Sequence, residues 1–168
     1  MKELKNLNRE LRIWLEDTER VVVIGIGNEL RKDDFVGMKV AQGLKGKVSK
    51  RVMIIESGTL PESFIEPIEL FNPTHILIID AGILKLKPGN LKFIESSKAL
   101  NKSAVAISTH ALPLKIFCSY LEKTLSAKIA FIIIQPEKTE FGEGLSLKVE
   151  KTAQKLQQIL IEILQTPT

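Results

Sequence analysis

The sequence predicts an α/β three-layer sandwich, in which a mostly parallel twisted sheet of about five strands carries helices on both faces. Three observations support that reading. Five short apolar runs rich in β-branched residues recur, at Val21–Ile24, Val52–Ile55, Ile76–Ile79, Val105–Ile107 and Ile129–Ile134. Their hydrophobicity is continuous rather than alternating, the pattern of strands covered on both faces. They are separated by 20 to 27 residues, room for a crossover helix at each step. A length of 168 residues, 44% hydrophobic and 26% charged, suits one domain over residues 1–168 with a full core.

The elements follow in chain order. The segment from Glu3 to roughly Asp17 sets Leu4, Leu7, Leu11 and Trp14 in helical register and surrounds them with charge. After the first strand, Val36, Val40, Ala41 and Leu44 fall on one face of a helix. The stretch from Ala81 to Ala104 is less regular, with a Pro88-Gly89 turn and a short edge strand at Leu91–Ile94. Leu114, Phe117, Leu121 and Leu125 line the helix of the fourth connection, with Pro113 near its start. Val149, Ala153, Leu156, Leu160 and Ile163 form the stripe of a C-terminal helix.

Composition excludes several classes of function. A single cysteine rules out an internal disulfide framework and any Cys-Cys zinc site, and with no leader-like segment at the N-terminus a cytoplasmic location is expected. No apolar run approaches the roughly 18 residues of a membrane span, so no membrane insertion is expected. The net charge of +4 is not one basic face: residues 31–51 hold seven Lys/Arg against two Asp, 52–83 hold five acids and no Lys/Arg, and 84–128 hold eight Lys against two Glu. The nine aromatics are not interleaved with basic residues, so no nucleic-acid partner is expected.

In such a sheet, functional residues are expected just past the carboxyl ends of strands. After the first strand comes Gly25-Ile-Gly-Asn-Glu-Leu-Arg-Lys-Asp-Asp34. Leu30 stands where a dinucleotide loop needs its third glycine, and no phosphate-loop tail follows, so no organic cofactor is expected. The paired carboxylates Asp33 and Asp34 precede the helix, one placed to cap it and the other free in the crevice. Asp80 follows four aliphatics of the third strand, where a charge needs a partner or a metal. His110 follows the fourth strand. Asp34, Asp80 and His110 thus share one edge of a sheet whose strands lie about 5 Å apart, an oxygen-and-nitrogen set suited to a divalent transition ion. His75, at the opposite end of the third strand, reads as a surface or loop-bonding histidine without a catalytic role. Cys118 reads as a packed core thiol. Ser57 and Ser108 sit in no G-x-S-x-G elbow, and no serine triad is readable.

Five separated blocks then carry a resemblance: GIGNELRKDDFVG at 25–37, ESGTLPE at 56–62, PTHILIIDAG at 73–82, STHALPL at 108–114 and IQPEKTEFGEGLS at 134–146. In this order and spacing they resemble the NiFe-hydrogenase maturation endopeptidases, from about Val21 to Leu147, with the helix in residues 1–18 outside the match. The resemblance implies a twisted sheet flanked by helices and an enzyme that removes the C-terminal extension of the hydrogenase large-subunit precursor once nickel is inserted. The family's metal-binding acid, second Asp and His match Asp34, Asp80 and His110. Nickel is then carried by the substrate and sensed by the protease.

Gly27, Asn28, Glu29 and Asp33, with Glu56, Ser57, Gly58 and Thr59, are expected to shape the substrate crevice. The chain departs from the family pattern at Phe35 and Lys32, where many members have glycine or another small residue, and at Glu56-Ser57-Gly58, which replaces a common Asp-Gly-Gly. Such changes bear on which precursor is accepted.

Two mechanisms fit: a metal that polarises the scissile carbonyl or activates water with carboxylate help, or a metal-free acid protease in which Asp34 and Asp80 share a proton. Two other functions compete. One is a non-proteolytic, nickel-dependent docking or chaperone module for hydrogenase assembly. The other is a peptidyl-tRNA hydrolase-like enzyme, against which Gly27-Asn28 is followed by Glu29 rather than Pro-Gly, with no His-Asn pair.

Overall fold

A computed structural model describes residues 2–96 and 108–165. Its strands are β1 (Val21–Ile26), β2 (Val52–Gly58), β3 (His75–Ala81), β4 (Leu91–Glu95) and β5 (Lys128–Ile134), and its helices α1 (Lys2–Trp14), α2 (Val36–Leu44), α3 (Ile65–Phe71), α4 (Ala111–Thr124) and α5 (Leu147–Leu164). The strands form one sheet in the order β2-β1-β3-β5-β4. All pairs are parallel except β4 with β5, which places the expected edge strand at the rim in antiparallel pairing. The expected strand Val105–Ile107 lies outside the described residues.

Continuous hydrophobicity has the expected cause: every residue of β1 and β3 is buried, because helices cover both faces. Val21, Val23, Leu77, Ile79, Ala130 and Ile132 pack with Leu7, Leu11 and Trp14 of α1, Val40 and Leu44 of α2, and Val149, Leu156 and Leu160 of α5. On the other face Val22, Ile24, Ile76, Ile78, Phe131 and Ile133 meet Ile68 of α3 and Leu114, Phe117 and Leu121 of α4. Cys118 belongs to this second core, and burial pushes its thiol up to about 12, an inert packing group as expected. Leu125 and Ile163 pack only partly buried against their cores.

His75 is buried, not on the surface, and serves α1. Its Nε2 donates to the Trp14 carbonyl (3.0 Å), its Nδ1 accepts from the Thr18 hydroxyl (3.2 Å), and the Trp14 ring meets it edge-on at 4.8 Å. Burial lowers its pKa below the usual histidine value, against the pull of Asp17. The folded chain therefore resists a proton that the unfolded chain takes up below about pH 6.5. Stability from this site is complete above that pH and declines as pH falls below it. The loss of melting temperature between pH 7.5 and 5.5 is expected to be smaller in His75→Gln than in the parent; equal losses would detach His75 from the effect.

Candidate functional site

Two loops and a strand end build the site. β1 ends at Ile26, and Gly27 then turns the chain so tightly that a Cβ there would lie 2.2 Å from the Asp34 carbonyl oxygen. Only glycine allows the loop to close on itself this way. The closure lets the Asn28 amide donate to Asp34 Oδ2 (3.1 Å), while Asn28 Oδ1 accepts from the Leu30 amide (2.9 Å). Both aspartates sit on a single 3-10 turn, Lys32–Phe35.

Neither aspartate caps α2, whose N-cap is Phe35 with no side-chain cap bond. Asp33 is fully buried instead, and its Oδ1 accepts from the Ser146 amide (2.7 Å) while its Oδ2 accepts from the amides of Glu137 (2.8 Å) and Lys138 (2.9 Å) and from Ser146 Oγ (2.9 Å). Four donors from a returning loop satisfy a buried carboxylate better than one pair of helix-end amides, so the cap role is displaced. Asp33 consequently faces the 137–146 segment rather than an open crevice.

Asp34 points the other way. Its Oδ2 lies 3.7 Å from Nε2 of His110, which occupies the N-cap position of α4. The other ring nitrogen of His110, Nδ1, lies 3.1 Å from Asp80 Oδ2. Asp80 is the penultimate residue of β3, opposite Ile133 in register, and fully buried. Its Oδ1 accepts from the Ala81 amide (2.8 Å), and its Oδ2 also accepts from Ser108 Oγ. The three expected residues therefore come together: one donor atom from each of Asp34, Asp80 and His110 lies within 4.8 Å of the others, the only such group among the described residues.

Electrostatics follow from burial. Loss of water pushes the Asp80 carboxyl above the usual range, with the Asp34 charge adding to the push, although His110 and Ser108 oppose it. At His110 burial works against the imidazolium, but the hydrogen bond and charge of Asp80, with the charge of Asp34, outweigh it and raise the pKa. The Asp80 carboxylate and the His110 imidazole thus interact as one hydrogen-bonded pair. The donor set is two carboxylates and one imidazole with no thiolate, which suits a divalent first-row ion. Ligands of such an ion lie about 2 Å from it and so within about 4 Å of one another, a spacing that small side-chain rotations reach from here.

The remaining residues expected at the crevice divide into buried and exposed positions. Ser57 is buried and donates to the Gly25 carbonyl (3.1 Å), and the Gly58 carbonyl accepts from the Gly27 amide (3.0 Å), so these residues brace the end of β1. Glu56 is ion-paired with Lys45, whose hydrogen bond holds its carboxyl below the usual range despite partial burial. Glu29 and Thr59 are exposed.

Sequence reasoning gave no role to Ser108 and Thr109. The Ser108 hydroxyl spends its proton on Asp80 and accepts from the His110 amide (3.0 Å), which makes it a brace rather than a nucleophile. Thr109 Oγ1 lies 3.0 Å from His110 Nδ1. The available signal was position: both hydroxyls directly precede the histidine. A separate groove lined by Leu4, Ile13, Val21, Val52, Ile159 and Ile163 lies at the opposite, amino-terminal edge of the sheet and contains none of the clustered residues.

Comparison with known proteins agrees with this fold. The family model described as "Hydrogenase maturation protease" matches residues 38–163. A relative from Methanocaldococcus jannaschii, whose name assigns it provisionally to the hydrogenase maturation proteases, is 36% identical, covering 90% of this chain and 92% of the relative. The crystal structure of a NiFe-hydrogenase maturation protease from Thermococcus kodakarensis superposes with a TM-score of 0.84 at 32% identity, covering 94% of this chain and 99% of that one. The hydrogenase maturating endopeptidase HybD of Escherichia coli superposes with a TM-score of 0.74 at 26% identity, covering 86% and 92%.

Proposed function

We propose, from the premise that this chain belongs to the hydrogenase maturation protease family, that it is the endopeptidase that removes the C-terminal extension of a nickel-loaded NiFe-hydrogenase large-subunit precursor. The observation that carries the reading is the convergence of Asp34, Asp80 and His110 at the carboxyl edge of the sheet. Nickel belongs to the substrate in this reading, and these three residues are its ligands on the protease side and the catalytic groups. When present, the ion supplies Lewis-acid polarisation of the scissile carbonyl or of water.

The chain's own residues do the rest. Asn28 holds Asp34 Oδ2, Ser108 holds Asp80 Oδ2, and the hydrogen-bonded Asp80–His110 pair can exchange a proton with a reacting group beside it. Gly27, Asn28, Glu29 and Asp33 with Glu56, Ser57, Gly58 and Thr59 shape the crevice, Asp33 by fixing its wall. No organic cofactor is required. The partner is the precursor rather than nucleic acid or a membrane, and the place of action is the cytoplasm. Among the described residues no helix is long and apolar enough to cross a membrane.

The test mixes the purified protein with the large-subunit precursor encoded by the same genome, with and without nickel, and reads the precursor's mass. Loss of a C-terminal fragment from the nickel-loaded form alone is expected. If every nickel-loaded precursor stays intact, the protease reading fails, and binding without cleavage would establish the docking-module reading instead.

A further inference from the structure

Phe141 is 71% exposed, Leu147 70% and Leu30 49%, three large apolar side chains turned to solvent around one anchor. That anchor is the Asp33 clamp. Its four hydrogen bonds go to Glu137, Lys138 and Ser146, and the backbone between them is bridged to the loop that carries Asp34: the Lys32 amide donates to the Gly142 carbonyl (2.9 Å), and the Gly142 amide donates to the Leu30 carbonyl (2.9 Å). Lys32 Nζ pairs with Glu140 (2.9 Å), and the Arg31 guanidinium lies 4.9 Å from the centre of the Phe141 ring. A Cβ at Gly142 would lie 2.6 Å from the Lys32 side chain, another sign of close seating.

An aromatic side chain left in water on a loop this firmly held costs little backbone ordering when a partner covers it, and an aromatic stacked with Arg is the composition of an interface anchor. We infer that the 137–146 segment is a precursor-recognition arm, whose tip, Phe141 with Leu30 and Leu147, docks an apolar stretch of the large subunit bordering its nickel centre. Two features select that occupant. The arm is continuous with the site, since Arg31 and Lys32 lie three and two residues before Asp34. The two cations seated against Phe141 and Gly142 are already engaged, Lys32 by Glu140 and Arg31 by the ring, so an apolar rather than an acidic segment complements the ring. This inference rests on the protease reading above.

The test measures binding and cleavage of the nickel-loaded precursor by the parent, Phe141→Ala, Phe141→Ser and Leu70→Ala. Leu70 is 81% exposed on α3, so its variant controls for loss of any exposed apolar group. Both Phe141 variants are expected to raise Kd and KM at least about tenfold with kcat within about twofold, because the anchor contributes to docking and not to chemistry; Leu70→Ala is expected to match the parent. Parent-like Kd in both Phe141 variants overturns the inference. If the parent binds but does not cleave, the protease reading fails while the arm is still decided by Kd. If the parent binds no nickel-loaded precursor, both fall.

Discussion

Asp80→Asn is expected to slow C-terminal processing of a nickel-loaded precursor by at least about 10²-fold while leaving the fold intact. The amide is nearly isosteric with the carboxylate, and its oxygen can still accept from the Ala81 amide, so the end of β3 keeps its shape. What disappears is charge. The substituted side chain offers a weaker metal ligand, and an NH₂ group directed toward His110 Nδ1 replaces the anion that holds the imidazole proton. Stability moves the other way or not at all, because burial already makes the ionised Asp80 costly in the folded state. Mass spectrometry of the precursor and a thermal melt of each variant check both halves. Asp34→Asn and His110→Ala are expected to fall similarly in processing, since the three groups act as one unit. Full processing by all three variants would remove the proposed site even if the chain is a protease.

The sheet and the trio were legible for the same reason: their signals are local. A run such as Val21–Ile24 has no polar position to turn toward water, so it declares burial on both faces without reference to the rest of the chain. Asp80 declares itself by following Ile76–Ile79 in an interior strand. Asp33 did not, because its role depends on amides 104 to 113 residues away, and nothing beside it in the chain announces a loop that will return to it. An acidic residue ahead of a helix has a sound local explanation as a cap, and tertiary donors displaced it. His75 illustrates the same limit, since its partners are Trp14 at the end of α1 and Thr18 in the turn after it, 61 and 57 residues upstream. Ser108 falls between these cases, adjacent to the histidine it braces but meaningful only once β3 lies alongside it.

Gly37→Ala is expected to be strongly destabilising and to disable the site at a distance. Gly37 is the second residue of α2, and a Cβ there would lie 2.1 Å from the Ile79 carbonyl oxygen and 2.4 Å from that of Ile26. Both obstacles are backbone of interior strands, fixed by their ladders, so the helix itself must retreat by about 1 Å or more. Overpacking of this kind costs about 3 kcal/mol, or roughly 6–12 °C of melting temperature for a chain of this size. Ile79 immediately precedes Asp80, and Asp34 lies two residues before α2, so the retreat separates the two carboxylates that the turn brings together. Misplacement by about 1 Å is expected to reduce cleavage about 10²-fold. Gly43→Ala on the same helix tests whether position or merely helical glycine matters. Its Cβ would meet only the end of the Gln157 side chain, at 2.2 Å, which can swing away with loss of its bond to the Lys39 carbonyl. That loss is about 1 kcal/mol and the gain in helix propensity is about the same, so a near-neutral melt is expected. Equal melting temperatures for the two variants would show that the close approach of α2 to β1 and β3 does not set the geometry of the site.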